Sequence, residues 1–385
     1  MSGGFRVARI EAHAFRQPVA EPVRTSFGVM RDRPAVFVRL EDRDGAHGWG
    51  EVFANWPASG AEHRCRLIAE DLADLVVGGR FEGPEDLFDR LTAATRIRAL
   101  QCGEPGPFAQ CIAGLDVAAW DLSARRAGLP LRTHLAAGAP DAVATYASGI
   151  PVDRAADTIG RARAAGFDAC KVKVGFDAAV EPGLLAALRD GPAAGIALMA
   201  DANQAWTEAE AARFLAATEG IGLDWLEEPM IATAPAAVWR RLAGATRTPL
   251  AGGENLGAAD AFARAVAAGH LRVIQPDVAK WGGITGCRRV ARRALAAGLL
   301  YCPHFLGGGV GLAASAHLLA AVGGGGRLEV DVNPNALRDA FGAVEDRLDA
   351  GRLALGRAPG LGIEALPEAI LPLRTAQATV TAADR

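Results

Sequence analysis

The chain has 385 residues, 50% hydrophobic and 22% charged, with a formal net charge of −3. That balance describes a globular protein with a large core, and it excludes a global field that would gather nucleic acid or an anionic membrane surface. The length suits two domains, or one barrel of about 250 residues with an appended module.

The opening stretch MSGGFRVARIEAHAF has no long apolar segment of the secretory kind. No uncharged run of about 18 apolar residues occurs, so no membrane span is expected. Residues 5–53 then read as strands, with Asp44-Gly45 as the turn of a hairpin in AVFVRLEDRDGAHGWGEVF. Helical periodicity comes next over 61–79, 84–100 and 107–127, the last stopping at Gly128 and Pro130. Residues 1–135 are therefore expected to form an α+β module that caps the remainder of the chain.

Beyond it, short apolar strands alternate with Ala-rich helices: VATYAS, ACKVKVG, ALMADAN, LDWLEEP, PLAGGEN, RVIQPD, LYCPH and RLEVDVN. Their repeat of about 25–30 residues is that of successive βα units. Eight such units close most simply into a modified (β/α)8-type TIM barrel, giving an α/β protein with a barrel over 136–355. An open doubly wound sheet would carry a Gly-rich phosphate turn after its first strand, and none is present. The irregular segment 356–385 is expected to pack back on the cap. Six cysteines (65, 102, 111, 170, 287 and 302) form no C-x-x-C pair, as in reduced, packed thiols of a cytoplasmic protein. The basic run CRRVARRAL at 287–295 reads as a solvated helix face.

Barrel enzymes carry their chemistry where strands finish. Here those ends supply Ser148, Lys171 and Lys173, Asp201 and Asn203, Glu227 and Glu228, Glu254 and Asn255, Asp277, His304, and Glu329 and Asp331. Asp201, Glu227 and Glu254 end three consecutive strands, and converging carboxylates repel unless a cation neutralises them. Oxygen-only ligands with room for water and substrate suit Mg2+, or Mn2+, and do not suit zinc.

Lysine stands at only three positions (171, 173 and 280) against a Lys+Arg total of 41. Two of the three lie one residue apart on one strand, so they face the same way. Two neighbouring ammonium groups are expected to depress each other's pKa, as a lysine base requires. Arginine cannot do this work, because it keeps its proton. Asp277, ending the neighbouring strand, would hold the imidazole of His304 in one tautomer. Opposed bases beside a metal form a device for removing a proton next to a carboxylate, through an enediolate.

The ordered run KVK, DAN, EEP, GEN, QPDVAKWGGITG and PH resembles the enolase superfamily, specifically its mandelate racemase subgroup. AGLDVAAWDLSARRAGLPL is similar to that family's helical signature in the cap, so the resemblance spans nearly the whole chain. It implies a Mg2+ site of Asp201, Glu227 and Glu254, with Lys173 as base on one face. Lys171 would lower the pKa of Lys173 and contact the substrate carboxylate. The Asp277–His304 dyad would serve the other face, and Glu329 would donate a hydrogen bond to the carboxylate. Asn203 and Ser148 match substrate-contact positions. An aspartate at 277, where related subgroups carry lysine, argues for the racemase-like branch, and Lys280 is read as structural. A symmetric homo-oligomer is also implied.

In that family cap loops select the substrate, a small carboxylate. The matching stretches here, 21–33 and 51–64, mix Val23, Phe27 and Trp56 with Arg24, Thr25, Asn55 and His63. Arg24, Asn55 and Trp56 are taken as substrate contacts. This mixture suits a polyhydroxy acid better than an aromatic one. The expected activity is dehydration of an acid sugar to a 2-keto-3-deoxy acid. The alternative is racemisation or epimerisation of a 2-hydroxy carboxylate. A Schiff-base lysine aldolase is a third reading, and a non-catalytic sugar- or metal-binding barrel has no need of two opposed bases.

Overall fold

A computed structural model describes residues 4–384, the side chains of Arg24 and Asp384 excepted. β1 (Phe5–Thr25), β2 (Gly28–Asp42) and β3 (His47–Val52) form an antiparallel sheet. The Asp44-Gly45 turn stands where expected, with Gly45 at φ 82°. β4 (Arg80–Phe81) pairs with the start of β1. Side chains on β2 alternate in a revealing way. Val36, Val38 and Leu40 join a core with the cap's own helices, whereas Phe37 and Ala35 join the core shared with the barrel. A sheet buried on both faces explains why the run AVFV is apolar without alternation.

The cap helices are Gly60–Val76, Pro84–Gln101 and Pro105–Arg126. The first is shorter than the expected 61–79 and contains a π-helical turn over Ile68–Leu72. Val77 leaves it in an extended conformation, followed by Gly78 at φ 79°. The third helix lies directly on β3. A Cβ at Gly50 would sit 1.9 Å from the Gly114 carbonyl oxygen, so only glycine lets helix and strand approach this closely. Two buried aspartates of that helix explain its sequence signature. Asp116 accepts from the backbone N–H and hydroxyl of Thr285 in the barrel, at 2.9 and 2.6 Å. Asp121 accepts from Trp49 N at 2.8 Å and Leu361 N at 2.6 Å, tying β3 and the C-terminal segment to the same helix.

The barrel strands are β5 (Ala142–Pro151), β6 (Ala169–Lys173), β7 (Ala197–Asp201), β8 (Leu226–Glu227), β9 (Leu250–Gly252), β10 (Val273–Ile274), β11 (Leu300–Tyr301) and β12 (Leu328–Asp331). Parallel ladders join β5 through β11 in order, and β12 pairs with β5. Among the described residues no ladder joins β11 to β12; there Arg327 N donates to Cys302 Sγ at 3.4 Å. The eighth unit also departs from the repeat, because the α-helix that follows β12, Ala336–Asp339, has a single turn. β13 (Leu348–Asp349) and β14 (Arg352–Ala354) then form a hairpin, with β14 antiparallel to β5. β15 (Arg374–Thr381) returns to the first sheet as the antiparallel neighbour of β1.

The basic helix is not wholly a solvated face. Arg289 makes a two-pronged pair with Asp89 of the cap at 2.7 and 2.9 Å, and Arg288 donates to the Leu135 carbonyl. Bidentate geometry of this kind needs a fixed partner, which the adjacent cap helix supplies. All six cysteines are free thiols, five of them buried. No helix among the described residues is long and apolar enough to cross a membrane.

Candidate active site

Inside the barrel, Tyr146, Met199, Trp225, Ala251, Val273 and Cys302 form an apolar plug. On β6, Cys170 and Val172 face the surrounding helices and join their core. Lys171 and Lys173 therefore face the barrel axis, as the two-residue period requires. They sit at different depths. The Lys171 ammonium lies 5.4 Å from the centroid of the Tyr146 ring and its side chain is fully buried. Lys173, one step nearer the rim, lines a cavity of about 720 Å3 between barrel mouth and cap.

Each lysine meets carboxylates. Lys171 Nζ lies 2.6 Å from Glu227 Oε2, 2.8 Å from Glu329 Oε1 and 3.6 Å from Asp201 Oδ2. Lys173 Nζ is 2.5 Å from Asp201 Oδ2. The mutual depression of the two lysines is consequently overridden. Burial is the largest influence on Lys173 and works to lower its pKa, as does Lys171, but Asp201, Glu227 and Glu329 together outweigh them and the net direction is upward. Lys171 moves the same way, burial again being outweighed by Glu227 and Glu329. Lys171, expected to contact the substrate carboxylate, is not among the residues lining the cavity and lies beneath it between Glu227 and Glu329.

The imidazole of His304 is held at both ends. Its Nδ1 is 2.7 Å from Asp277 Oδ2 and its Nε2 is 2.9 Å from Glu254 Oε2. Asp277 is itself fixed, since Oδ1 accepts from the backbone N–H of Ala279 at 2.7 Å and of Lys280 at 3.2 Å. Burial opposes the imidazolium, yet Glu254, Glu329 and Asp277 together raise its pKa well above the ordinary histidine value. Glu329, expected as a donor to the substrate carboxylate, lines the cavity. Burial would raise its pKa, but Lys171 and His304 bring it down to about 2. Its oxygens accept from Ser148 Oγ at 2.5 Å and Phe305 N at 3.2 Å.

Asp201 and Glu227 stand side by side in the β7–β8 register, and Glu254 follows β9. Among the described residues no three His, Cys, Asp or Glu side chains are drawn together as a metal cage, because lysines and His304 engage these acids instead. The donor set nevertheless suits a hard cation. Glu227 Oε1 is buried without any hydrogen-bond partner. Burial, and then the adjacent Asp201, push the Glu227 carboxyl up to about 7. Glu228, beside Glu254, is pushed to about 8 by burial and then by that neighbouring carboxylate. Such a surplus of buried oxygen ligands is what a divalent ion relieves.

The lid residues divide. Asn55 and Trp56 line the cavity, as do Val23, Thr25 and Phe27. Asn55 donates to the Leu306 carbonyl at 3.1 Å, and Trp56 meets Phe27 edge-on at 5.9 Å. His63 lies elsewhere, paired with Glu104 at 3.1 Å. Arg24's side chain falls outside the described residues. Asn203 lines the cavity with φ at 45°; its N–H donates to Asp201 Oδ1 at 2.8 Å, and its carbonyl accepts from Ser26 Oγ of the lid hairpin at 2.7 Å.

Sequence reasoning passed over four contributors. Gln275 Nε2 donates to Glu227 Oε2 at 2.6 Å. Lys280, read as structural, lines the cavity with its ammonium 3.3 Å from Glu254 Oε2. Arg33 lines it too, paired with Asp331 at 2.8 Å. Glu51, at the end of β3, accepts from Gly308 N at 2.5 Å and Gly311 N at 2.7 Å. It thereby clamps the cap to the helix Gly309–Val322 that follows His304. The only signal for Glu51 was an acidic residue inside an apolar strand, WGEV. Glu51→Ala strands two buried N–H groups and is expected to cost about 2–4 kcal/mol of stability, read as a lower denaturant midpoint. Glu51→Asp, too short to span both amides, should recover only part of it.

Residues 154–369 match the enolase C-terminal domain-like family profile, and residues 9–135 match the mandelate racemase / muconate lactonizing enzyme N-terminal domain. A solved mandelate racemase/muconate lactonizing enzyme from Bordetella bronchiseptica RB50 is 49% identical, with a TM-score of 0.91 over 96% of this chain and 100% of that one. The D-galactarolactone cycloisomerase of Agrobacterium fabrum is 28% identical, covering 96% of this chain and 99% of its own. L-Talarate dehydratase from Polaromonas sp. JS666, solved with Mg and L-glucarate, is 26% identical with a TM-score of 0.82, over 98% and 99% of the two chains.

Proposed function

The chain belongs to the mandelate racemase/muconate lactonizing enzyme family of the enolase superfamily, and from that premise we propose that it is a Mg2+-dependent acid-sugar dehydratase. The observation that carries this reading is convergence on one cavity. An amine from β6 and a carboxylate-held imidazole following β11 both line it, together with Glu254, and Asp201 and Glu227 lie directly behind. The cap 1–135, the barrel 136–355 and the returning tail 356–385 are the working parts, supported by the pairing of β15 with β1.

Asp201, Glu227 and Glu254 would hold the Mg2+, with Mn2+ as a substitute. When bound there, the ion would supply positive charge that acidifies the C–H beside the substrate carboxylate, and Asp201 as its ligand would release the Lys173 amine. Lys173, as the free amine, takes the proton from C2. Lys171 keeps Glu227 and Glu329 in place from below, and Ser148 and Asn203 meet the substrate from the wall. His304, fixed through Nδ1 to Asp277, delivers a proton from Nε2 to the departing C3 hydroxyl. C2–H and C3–O are broken, water leaves, and the resulting enol tautomerises to the 2-keto-3-deoxy acid. Neutral hydrogen-bonding side chains in the lining (Thr25, Asn55, Gln110, Asn255) suit a hydroxyl-rich substrate. The similarity to L-talarate dehydratase, solved with Mg and L-glucarate, points the same way.

Racemisation is the second reading, favoured by the presence of a proton-transfer group on each of two well-separated strands. Incubation of the protein, Mg2+ and an acid-sugar panel in D2O separates the two. Keto-acid formation with loss of water supports dehydration. Deuterium gain with inverted configuration and no loss of water supports racemisation. Chelation should lower turnover by about a thousandfold or more, reversibly. Undiminished activity in chelator, with a borohydride-trapped adduct on a lysine, would instead return the aldolase. Unpaired cysteines favour a cytoplasmic setting, and the family habit of symmetric assembly favours a homo-oligomer.

A further inference from the structure

The charges on the cavity wall restrict which sugar acid fits, an inference that rests on the dehydratase reading. Among the described residues, every cation lining the cavity already has a carboxylate partner. Lys173 is paired with Asp201, Lys280 with Glu254, and His304 with Asp277 and Glu254 at the reacting end. Away from that cluster, Arg33 lies 2.8 Å from Asp331 and Arg154 lies 2.8 Å from Glu21. Arg338, behind Asp331, donates to the Asp331 carbonyl and pairs with Asp339 at 2.7 Å. Asp153 and Asp177 then add further negative charge to the lining. A proposed divalent ion serves the carboxylate that reacts. A second carboxylate at the far end of the substrate would enter a wall whose described cations are all paired and whose acids are in excess, where like charges repel.

The same wall is well furnished for a neutral tail. Arg33 is 4% exposed, and its Nε–H is buried with no acceptor in the protein. A hydroxyl oxygen can satisfy such a donor without bringing a further negative charge beside Asp331, and leaving it bare is costly. Thr25, Asn55, Gln110 and Asn333 add neutral donors and acceptors. We propose that the substrate is a monocarboxylate with an uncharged hydroxyl-bearing tail, an aldonate or its like, and that the Arg33–Asp331 and Arg154–Glu21 pairs exclude the corresponding diacids.

The test is kcat/KM for matched aldonate and aldarate pairs (galactonate with galactarate, gluconate with glucarate) on the Mg2+-loaded full chain. The aldonates should exceed the aldarates by about 100-fold or more. Asp331→Asn releases Arg33 and Glu21→Gln releases Arg154. At least one of the two should raise the aldarate-to-aldonate ratio by about tenfold or more. Glu21 is exposed, so its variant remains informative if Asp331→Asn fails to fold. Equal or better turnover of aldarates by the wild type overturns the proposal, and so does a ratio unmoved by either substitution. Aldarate turnover that Arg24→Gln removes would overturn it through a lid cation. If no sugar acid of either kind yields a keto acid, the dehydratase reading falls and takes this inference with it. Keto-acid formation with a preference for diacids sinks the inference alone.

Discussion

Replacing Lys173 with alanine is expected to lower kcat by about 10^3–10^4-fold and to abolish exchange of the C2 proton with D2O. The effect should be chemical rather than structural. Lys173 contributes one ion pair, to Asp201, from a side chain 19% exposed at the cavity wall. Asp201 keeps Lys171 at 3.6 Å and its own N–H donor from Asn203, so the fold loses little. Lys173→Arg sharpens the test, because arginine preserves the charge yet cannot release its proton near neutral pH. It should be as inactive as the alanine variant while unfolding at the wild-type denaturant concentration. Lys171→Ala should behave differently. That ammonium is fully buried between Glu227 and Glu329, and its removal leaves two carboxylates uncompensated, at a cost of about 3–5 kcal/mol. Turnover by Lys173→Ala within tenfold of wild type would remove the amine from the chemistry.

What made this site readable was the βα repeat. Because Asp201, Glu227 and Glu254 end successive strands, adjacency was expected; the β7–β8 register places Asp201 beside Glu227, and Glu254 follows β9. The Asp277–His304 contact was legible for the same reason. Depth was not legible. Two lysines two residues apart share a direction, but nothing in CKVKVG says that one is sealed under the cavity floor while the other reaches into it. Nor does the spacing reveal how many carboxylates surround them, which is why the expected lowering of their pKa values gave way to a rise. Partners distant in sequence were hidden altogether: Glu51 meets Gly308 across 257 positions and Arg33 meets Asp331 across 298. The fold shows the same division. The cap hairpin and the strand sequence obey local pattern, whereas the shortened helix after β12 reflects the chain's return to the cap, a tertiary demand that local propensity does not express.

The second large effect is expected at His304, and it distinguishes two reactions that begin alike. If Lys173 removes the proton and His304 protonates the leaving hydroxyl, His304→Asn should cut dehydration by about 10^3-fold. Exchange of the C2 proton with D2O would nevertheless persist, since the amine that performs it is untouched. Asp277→Asn should imitate this more weakly. With Oδ1 pinned by the N–H groups of Ala279 and Lys280, the new amide nitrogen must occupy the place of Oδ2 and present a donor to Nδ1. The imidazole then turns to the tautomer protonated only on Nε2 and loses the charge that makes it a strong acid. Elimination should fall by about 10^2-fold, with the pH optimum displaced toward acid and KM little changed. A racemase predicts another pattern. There His304 is the base for one enantiomer, so His304→Asn would abolish exchange from that enantiomer and spare the other, with no keto acid from either. Persistence of exchange alongside lost elimination assigns the imidazole to the departing oxygen; loss of exchange confined to one configuration assigns it to carbon.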